Sequence, residues 1–336
     1  MTKNKEILFK KPPVGPVTDD TFELAETAIP SAGDGQFVVQ AHYMSVDPYM
    51  RSRMTNVKSY IPPFELGKPL QAGIVGEVVE SNHDKFPVGC YVSGMGNWAN
   101  YTVTDGEGYN QVPSGPAPLS YFLGILGMPG MTAWVGLTKI GACKEGDNVY
   151  VSAASGAVGQ VVGQIAKQMG CHVSGSAGSD DKVAYLKELG FDQAFNYKTC
   201  GDLNKAIATA NPKGIDVYFE NVGGPMLEAV LNNMRFNGRI AACGMIADYD
   251  AASASDVSTS PRNLPIIIGR EIKMQGFIVS NHTKECIEWI QQGSQWITEG
   301  KLKYRESVAE GLENAPQAFM DMMAGKNFGK QVVKLV

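Results

Sequence analysis

The sequence predicts an α/β protein with a doubly wound parallel sheet and a separate β-rich domain. From residue 148 to residue 277, short apolar strands alternate with stretches of helical periodicity, which is typical of a parallel sheet covered by helices on both faces. The first 120 residues are instead rich in Pro and Gly and contain short alternating runs, such as 36–41 and 72–80, which indicate antiparallel strands. A chain of 336 residues is long for a single core, so we expect two domains.

The positions of the apolar runs assign the elements of the sheet and of the segment after it. Strands are expected at 148–152, 172–176, 193–197, 215–220, 239–243 and 272–277. They are followed by a helix at about 284–299, the segment 304–308, a helix at about 315–324 and a strand at 331–336. We expect this tail to return to the first domain. Residues 250–260 are mostly small and form a loop that is long enough to act as a mobile lid.

The turn after the first strand of the sheet has the spacing of a dinucleotide-binding loop. Ala154, Gly156 and Gly159 occupy the three positions of a G-x-G-x-x-G pattern, and Ala157 and Val158 complete it. Glycines there let the backbone approach a pyrophosphate and let the helix pack on the sheet, while free N–H groups of the helix face the phosphates. A plain Gly-rich turn is the alternative. A strand precedes the turn, and a periodic helix that ends at Gly170 follows it. This context favours a dinucleotide-binding loop.

The end of the second strand indicates which dinucleotide binds. NAD-binding chains place an Asp or Glu there for the ribose diol, but residues 174–178 contain no carboxylate. Ser179 or Asp180 is expected to cap the next helix. Lys182 lies in the first turn of that helix, where a cation is unfavourable unless it meets an anion such as a ribose 2′-phosphate. A solvated surface lysine is the alternative. The pattern therefore favours NADPH over NADH.

Charge and cysteine spacing exclude several other classes of function. The net charge is −5 and the basic residues are scattered, so nucleic-acid binding is not expected. The N-terminus has no apolar segment, and no run approaches the roughly 18 apolar residues of a membrane span; we expect a cytoplasmic protein without a membrane partner. The six cysteines are irregularly spaced and include no C-x-x-C motif, which disfavours structural disulfides and a zinc site. Most of them are expected to be small buried hydrophobes.

Segments that carry a family resemblance are spread over nearly the whole chain, in the order of the family. They are 44–51, 128–134, 153–159, 178–182, 196–198, 221–224 and 325–329. Together they resemble the zinc-independent medium-chain dehydrogenases/reductases, and most closely the NADPH-dependent alkenal, prostaglandin and curcumin double-bond reductases. Where zinc alcohol dehydrogenases carry G-H-E, this chain has Gly67, Lys68 and Pro69, and it lacks their four-cysteine lobe. No metal is therefore expected.

The resemblance also implies domains, assembly and site residues. It implies a GroES-like substrate domain from 1–124 and 297–336, a Rossmann NADPH-binding domain at 125–296, and usually a homodimer. Tyr249 is similar to the tyrosine that contacts the substrate oxygen or assists protonation, and Tyr49 to one lining the substrate pocket. Tyr60 is a candidate aromatic wall. The alternatives are loop packing for Tyr249 and surface packing for Tyr60.

For the cofactor, the resemblance implies contacts along its whole length. Lys182 and Tyr197 are expected at the 2′-phosphate, near Gly178. Along the ribose, pyrophosphate and nicotinamide, we expect Asn221, Cys243, Phe277, Val279 and Asn327. Near the nicotinamide ring, we expect Met128 and Thr132. Asn327 could equally be an ordinary turn residue. Asp47 and Arg51 are interpreted as structural.

Without a metal, hydride transfer needs an acceptor that is electrophilic on its own. The β-carbon of an α,β-unsaturated aldehyde or ketone meets this need, and the enolate that forms must be stabilised at oxygen and protonated at the α-carbon. A phenol with a pKa of about 10 can donate a hydrogen bond at neutral pH. The sequence therefore predicts reduction of 2-alkenals, enones or curcumin-like compounds. Quinone reduction and a non-catalytic nucleotide-binding interaction protein are the alternatives.

Overall fold

The chain folds into two compact units. The computed structural model describes residues 3–113, 115, 117–250 and 261–336. The first unit contains the residues up to Leu123 together with Glu306–Asn327 and Gln331–Val336, and the second contains Gly124–Arg305 and Phe328–Lys330. Apart from Asp250, the loop predicted to be a lid lies outside the described residues.

The first unit is built on antiparallel strands. Strands β1 (Asn4–Phe9) and β2 (Phe22–Thr27) form a pair. A larger sheet contains β3 (Phe37–Ser45), β4 (Gln71–Ser81), β5 (Tyr91–Asn97), β6 (Tyr101–Thr104), β7 (Asn110–Gln111), β14 (Glu306–Glu310) and β15 (Lys330–Lys334). Its order is β14-β15-β3-β4-β5-β7, and β6 pairs with β3. The short helices are α1 (Met50–Arg53) and α9 (Ala315–Met323).

The tail contributes to the core of the first unit, because aromatic rings from both ends of the chain pack together there. Trp98 stacks on Phe22 with ring centroids 5.8 Å apart, and Phe319 of α9 meets Trp98 edge-on at 6.4 Å. All three side chains are buried. Residues 306–327 and 331–336 of the tail thus belong to the first unit.

The second unit is the predicted parallel sheet with helices. Its strands are β8 (Asn148–Val151), β9 (His172–Ala177), β10 (Gln193–Asn196), β11 (Ile215–Glu220), β12 (Met234–Ala242) and β13 (Lys273–Gly276). Its helices are α2 (Met128–Trp134), α3 (Gly159–Gln168), α4 (Asp180–Glu188), α5 (Leu203–Ala210), α6 (Gly224–Asn233), α7 (Pro265–Gly269) and α8 (Thr283–Thr298). A π-helical segment, Val135–Ile140, continues α2.

The strand order of this sheet sets the position of a ligand site. The order is β10-β9-β8-β11-β12-β13, and every neighbouring pair is parallel. From β8 the chain first winds outward to β9 and β10, and then returns to β11 on the other side. Such a reversal opens a crevice at the carboxyl ends of the strands, where α/β proteins bind ligands.

Strand β12 differs from its prediction, since it starts at Met234 and not at residue 239. Asn237 has a φ of 58° within it, and the pairing with β11 shifts between Ile215 and Val217. An Asn followed by Gly is typical of a turn. Residues 235–238, which include this turn, therefore form a bulge between the residues that pair with Ile215 and Val217.

Candidate active site

The turn between β8 and α3 lies at the point where the strand order reverses. The backbone N–H of Ala154 donates to the Ser176 carbonyl at 3.0 Å, which ties the turn to the neighbouring strand. A Cβ atom on Gly159 would lie 2.6 Å from the Ala153 carbonyl oxygen, so a side chain there would push α3 off the sheet. Gly159 therefore has the packing role expected of the last glycine of the pattern.

Gly156 has a different role in this turn. A Cβ atom there would have, among the described residues, only the Ala153 carbonyl oxygen within 4 Å, at 3.2 Å. Its open side leaves the backbone accessible to a ligand. Ala157 and Val158 follow it and lead into α3, whose N-terminus lies at this place and has no side-chain cap in the described part of the chain.

A second segment of the chain closes against the turn. Gly156 pairs with Gly329 in an isolated parallel bridge, and the Gly329 N–H donates to the Ser155 carbonyl at 3.1 Å. Gly329 has a φ of 66°, and a Cβ atom there would lie 1.9 Å from the Arg305 carbonyl oxygen. Only glycine fits this position, which explains why the segment 325–329 ends in Gly329.

A cluster of basic and phenolic side chains lies at the ends of β9 and β10. An atom at the Cβ position of Gly178 would be 3.0 Å from the Tyr197 hydroxyl oxygen and 3.3 Å from Lys198 Cε. Burial lowers the pKa of Lys182, and the positive charge of Lys198 lowers it further. Ser179 caps α4 by accepting from the Lys182 N–H at 3.4 Å, as one of the two predicted caps.

Two lysines that repel each other favour the binding of an anion, because a bound anion removes the repulsion. Lys182 and Tyr197 were predicted from the sequence, whereas Lys198 was not. Lys198 directly follows Tyr197, and the adjacency of β9 and β10 in the sheet brings it to Gly178. Lys198 does belong to the segment 196–198 that carries the family resemblance, and this could have identified it as a candidate site residue.

A buried carboxylate, also missed from the sequence, ties three strand ends together. Oε1 of Glu220 accepts from the Tyr218 hydroxyl at 2.6 Å, from the Val222 N–H at 2.6 Å and from the Ser152 hydroxyl at 3.3 Å. The Glu220 carbonyl accepts from the Cys243 N–H at 2.9 Å. One residue thus links the ends of β8, β11 and β12.

Burial raises the pKa of Glu220, although the donors on Oε1 counteract this. Oε2 is buried and has no hydrogen-bond partner among the described residues. Asn221, which follows Glu220, donates from its side chain to the Ser152 carbonyl at 2.8 Å. The network therefore fixes the segment that the resemblance places along the cofactor.

The other predicted cofactor residues of this unit lie near the same edge of the sheet or on α2. Cys243 follows β12, and burial together with the charge of Glu220 raises its pKa to about 12, so its thiol stays protonated. Phe277 follows β13 and meets the buried Phe219 ring edge-on at 6.5 Å. Val279 begins a short 3₁₀ turn. Two residues lie on α2: Met128 is partly exposed, and Thr132 is buried.

Tyr249 follows a short 3₁₀ turn after β12, and its ring folds back toward the strand end. An atom at the Cβ position of Gly244 would lie 3.1 Å from the Tyr249 hydroxyl oxygen. The absence of a side chain on Gly244 therefore makes room for this hydroxyl beside the segment that follows Cys243.

The two remaining tyrosines lie together in the first unit. Tyr49 directly precedes α1, and burial raises the pKa of its hydroxyl, with a smaller contribution from Asp47. Tyr60 and Arg53 also influence this pKa, which places both near Tyr49. Arg53 donates to the Pro62 carbonyl at 2.8 Å and so holds the segment that carries Tyr60. The Tyr49 hydroxyl is consequently protonated at neutral pH.

Asp47 and Arg51 have structural partners within the first unit. Arg51 is buried and donates to the Gly15 carbonyl at 2.6 Å, and Asp47 accepts from the Ser45 hydroxyl, in keeping with structural roles. Asn327 follows α9 and belongs to the first unit. Within the described ranges, no group of three or more His, Cys, Asp or Glu residues is placed to hold a metal ion. Within the same ranges, no helix is long and apolar enough to span a membrane.

Comparison with known proteins assigns the family. Residues 5–112 match the family described as the N-terminal domain of oxidoreductase, and residues 157–294 match the family described as zinc-binding dehydrogenase. Prostaglandin reductase 1 of Rattus norvegicus is 43% identical over 99% of this chain and 100% of its own length. The NADP(+)-dependent 2-alkenal reductase of Nicotiana tabacum is 44% identical over 98% of this chain and 97% of its own.

A solved structure agrees with these relatives. The crystal structure of CurA from Vibrio vulnificus in complex with NADPH superposes with a TM-score of 0.93, at 40% identity over 99% of both chains. The predicted fold class is confirmed, with a Rossmann-type parallel sheet and a separate antiparallel sheet. The chain belongs to the medium-chain dehydrogenase/reductase family, in the branch that contains the prostaglandin, 2-alkenal and curcumin reductases.

Proposed function

We propose that this protein is an NADPH-dependent reductase of the carbon–carbon double bond of α,β-unsaturated aldehydes and ketones. The single observation that carries the proposal is the pairing of a dinucleotide turn at residues 153–159 with the basic cluster of Lys182, Lys198 and Tyr197. The names of its relatives, which reduce prostaglandins, 2-alkenals and curcumin, support the class of acceptor. The second unit holds the cofactor, and the first, with Tyr49 and Tyr60, holds the acceptor.

The described residues fit NADPH. The turn offers an open Gly156 and the N-terminus of α3 for the pyrophosphate. Lys182 and Lys198 offer two positive charges and Tyr197 a hydroxyl for the 2′-phosphate. Asn221 and Cys243 stand at the ends of the central strands, where the ribose and nicotinamide of such cofactors bind. When bound, NADPH supplies the hydride that reduces the β-carbon of the acceptor.

The protein's own part in the reaction is to bind, orient and donate. Negative charge develops on the acceptor's carbonyl oxygen as the β-carbon is reduced, and hydrogen-bond donors aimed at that oxygen stabilise the enolate. We assign this role to the Tyr249 hydroxyl, which can act as a hydrogen-bond donor. The Tyr49 hydroxyl orients the acceptor, since its raised pKa keeps it protonated. Water or Tyr249 then protonates the α-carbon.

The test follows NADPH oxidation with a medium-chain 2-alkenal, with curcumin and with a quinone, and identifies each product by mass. A saturated carbonyl compound, two hydrogen atoms heavier than the substrate, is expected from the alkenal. Turnover of the quinone alone would replace the proposal with quinone reduction. NADPH binding with no turnover of any acceptor would point to a non-catalytic nucleotide-binding role.

We further propose that two copies of the chain form a homodimer through the edge of the parallel sheet. Strand β13 is the outermost strand, and three of its four residues are exposed. Ile268 of the preceding α7 is 83% exposed, and Leu264 is 48% exposed. An open strand edge beside exposed apolar side chains favours pairing with another strand. The occupant is a second copy, because related medium-chain reductases usually form homodimers.

Light scattering after size-exclusion chromatography tests the dimer. Ile268→Asp is expected to convert a dimer to a monomer, because it buries a charge in the interface. Val14→Asp is the matched control, since Val14 is 88% exposed in the other unit. A monomeric wild-type protein would refute the proposal. We place the protein in the cytoplasm, where NADPH is maintained, and subcellular fractionation would test this.

A further inference from the structure

Two cysteines of the second unit lie in contact at the edge of the sheet opposite to the proposed cofactor site. The Sγ atoms of Cys143 and Cys171 are 3.4 Å apart. Both residues are buried, with 8% and 3% of their surfaces exposed. A disulfide requires a separation of about 2.05 Å, so the two sulfur atoms need to move together by little more than one ångström.

Two helix-to-strand turns hold the thiols beside each other. Cys143 follows the π-helical segment that ends at Ile140, and Cys171 follows the Gly170 that ends the turn after α3. The residues before them, Ala142 and Gly170, have φ values of 42° and 77°. Because β8 and β9 are hydrogen-bonded neighbours, their amino-terminal ends bring the two turns together. The two cysteines are 28 residues apart in the sequence, and this spacing did not predict their contact.

The surroundings make the two thiols unequal. The hydrogen bond with Cys143 lowers the pKa of Cys171, and the positive charge of Lys167 contributes in the same direction. The same hydrogen bond and burial raise the pKa of Cys143. The charge of Asp147 opposes ionisation of both thiols, although a backbone hydrogen bond at Asp147 lowers the pKa of Cys171; Arg239 favours ionisation of Cys143. The Lys167 ammonium group donates to the Cys171 carbonyl at 3.3 Å and so lies beside this residue. We therefore assign the first attack to Cys171 and the resolving role to Cys143.

We propose that Cys143 and Cys171 form a site of reversible oxidative modification, in which a small peroxide converts the two thiols into an intramolecular disulfide. The Cys171 thiolate attacks one peroxide oxygen, the O–O bond breaks, and a Cys171 sulfenic acid and hydroxide form. The Cys143 sulfur then attacks the sulfenic sulfur, its proton passes to the leaving hydroxyl group, and water departs. Two thiols are oxidised, and one peroxide is reduced to two molecules of water or its alkyl equivalent.

The position of the pair indicates what the bond would do. Residues 143–171 contain β8, the turn at 153–159 and α3. A disulfide would close these elements into one loop, which stabilises the folded state by restricting the unfolded chain. The bond lies at the amino-terminal ends of the strands, away from the turn itself. Oxidation should therefore protect the cofactor-binding segment against unfolding and leave turnover nearly unchanged.

The experiment treats the full-length protein with hydrogen peroxide and blocks the remaining thiols before mass analysis. The oxidised protein is expected to lose two hydrogen atoms and to give a proteolytic peptide pair linked through Cys143 and Cys171. Its Tm is expected to rise by about 5 °C and to return after dithiothreitol. Cys171→Ser should abolish the link and the Tm shift, whereas Cys90→Ser, at a half-buried cysteine of the other unit, should leave both.

Two results would overturn the proposal. The first is oxidation of the partly exposed Cys200 in the wild-type protein while Cys143 and Cys171 remain thiols. The other is a sulfenic acid at either cysteine that persists without a link. Both are read on the wild-type protein, so they do not depend on whether a serine variant folds. Neither depends on the proposed reductase activity.

Discussion

Removal of the Lys182 ammonium group tests the cofactor assignment directly. A hydrogen bond to a charged group contributes about 1.5–3 kcal/mol, which corresponds to a roughly 10- to 150-fold change in affinity. Lys182 is half-buried, and burial is the main cause of its lowered pKa, so its contact with a phosphate is only partly screened by water. We expect Lys182→Ala to weaken NADPH binding within this range and to leave NADH binding unchanged.

The assay measures kcat/KM for NADPH and for NADH with the same alkenal acceptor. Lys198→Ala is expected to have the smaller effect, about three- to fivefold, because Lys198 is exposed and screened by solvent. Lys187→Ala is the matched control, since this exposed lysine is in the last turn of the same helix. An unchanged preference for NADPH in a folded Lys182→Ala protein would refute the phosphate site.

Three further predictions concern the turn, the buried carboxylate and the tyrosine. Gly159→Val should abolish NADPH binding and lower the Tm, because its Cβ would lie 2.6 Å from the Ala153 carbonyl oxygen; calorimetry of a variant that binds normally would contradict this. The pKa of Glu220 is raised in the folded protein, so its favourable contribution to the free energy of unfolding is present below its unfolded pKa and is lost as pH rises through its folded pKa. Glu220→Gln removes this loss, and the variant should therefore become more stable relative to the wild type as pH rises. Urea unfolding at several pH values measures this, and parallel curves would exclude it. Tyr249→Phe should lower turnover by about 10- to 100-fold while NADPH affinity holds; unchanged turnover leaves water as the proton donor and removes the hydroxyl from enolate stabilisation.

Much of the second unit could be predicted from the sequence because its parallel strands are buried on both faces. Such strands appear as apolar runs, and the strand β11 (Ile215–Glu220) has the expected bounds. Strand β12 was only partly found, since Asn237 has the local signature of a turn. The turn at 153–159 was also accessible, because its glycines are needed for local reasons that the sequence shows.

The parts of the site that the sequence did not reveal depend on contacts between distant strands. Lys198 acquires a neighbour in Lys182 only because β9 and β10 are adjacent. Glu220 ends an apolar strand, where a carboxylate normally indicates that the chain has reached solvent. Its burial and its bond from Ser152 follow from the pairing of β11 with β8, which the sequence does not specify. The ligand of each site residue stays a prediction.

The network around Glu220 gives a physical reason why the two edges of the parallel sheet can be perturbed separately. At the carboxyl edge, one buried residue links the ends of β8, β11 and β12 through hydrogen bonds to its side chain and to its backbone carbonyl. A change there moves all three strand ends and therefore several cofactor contacts at once. At the amino edge, Cys143 and Cys171 connect only the turns before β8 and β9. A covalent bond there fixes the start of the βα segment without moving the strand ends that Glu220 holds, so oxidation should raise the Tm while the KM for NADPH stays constant.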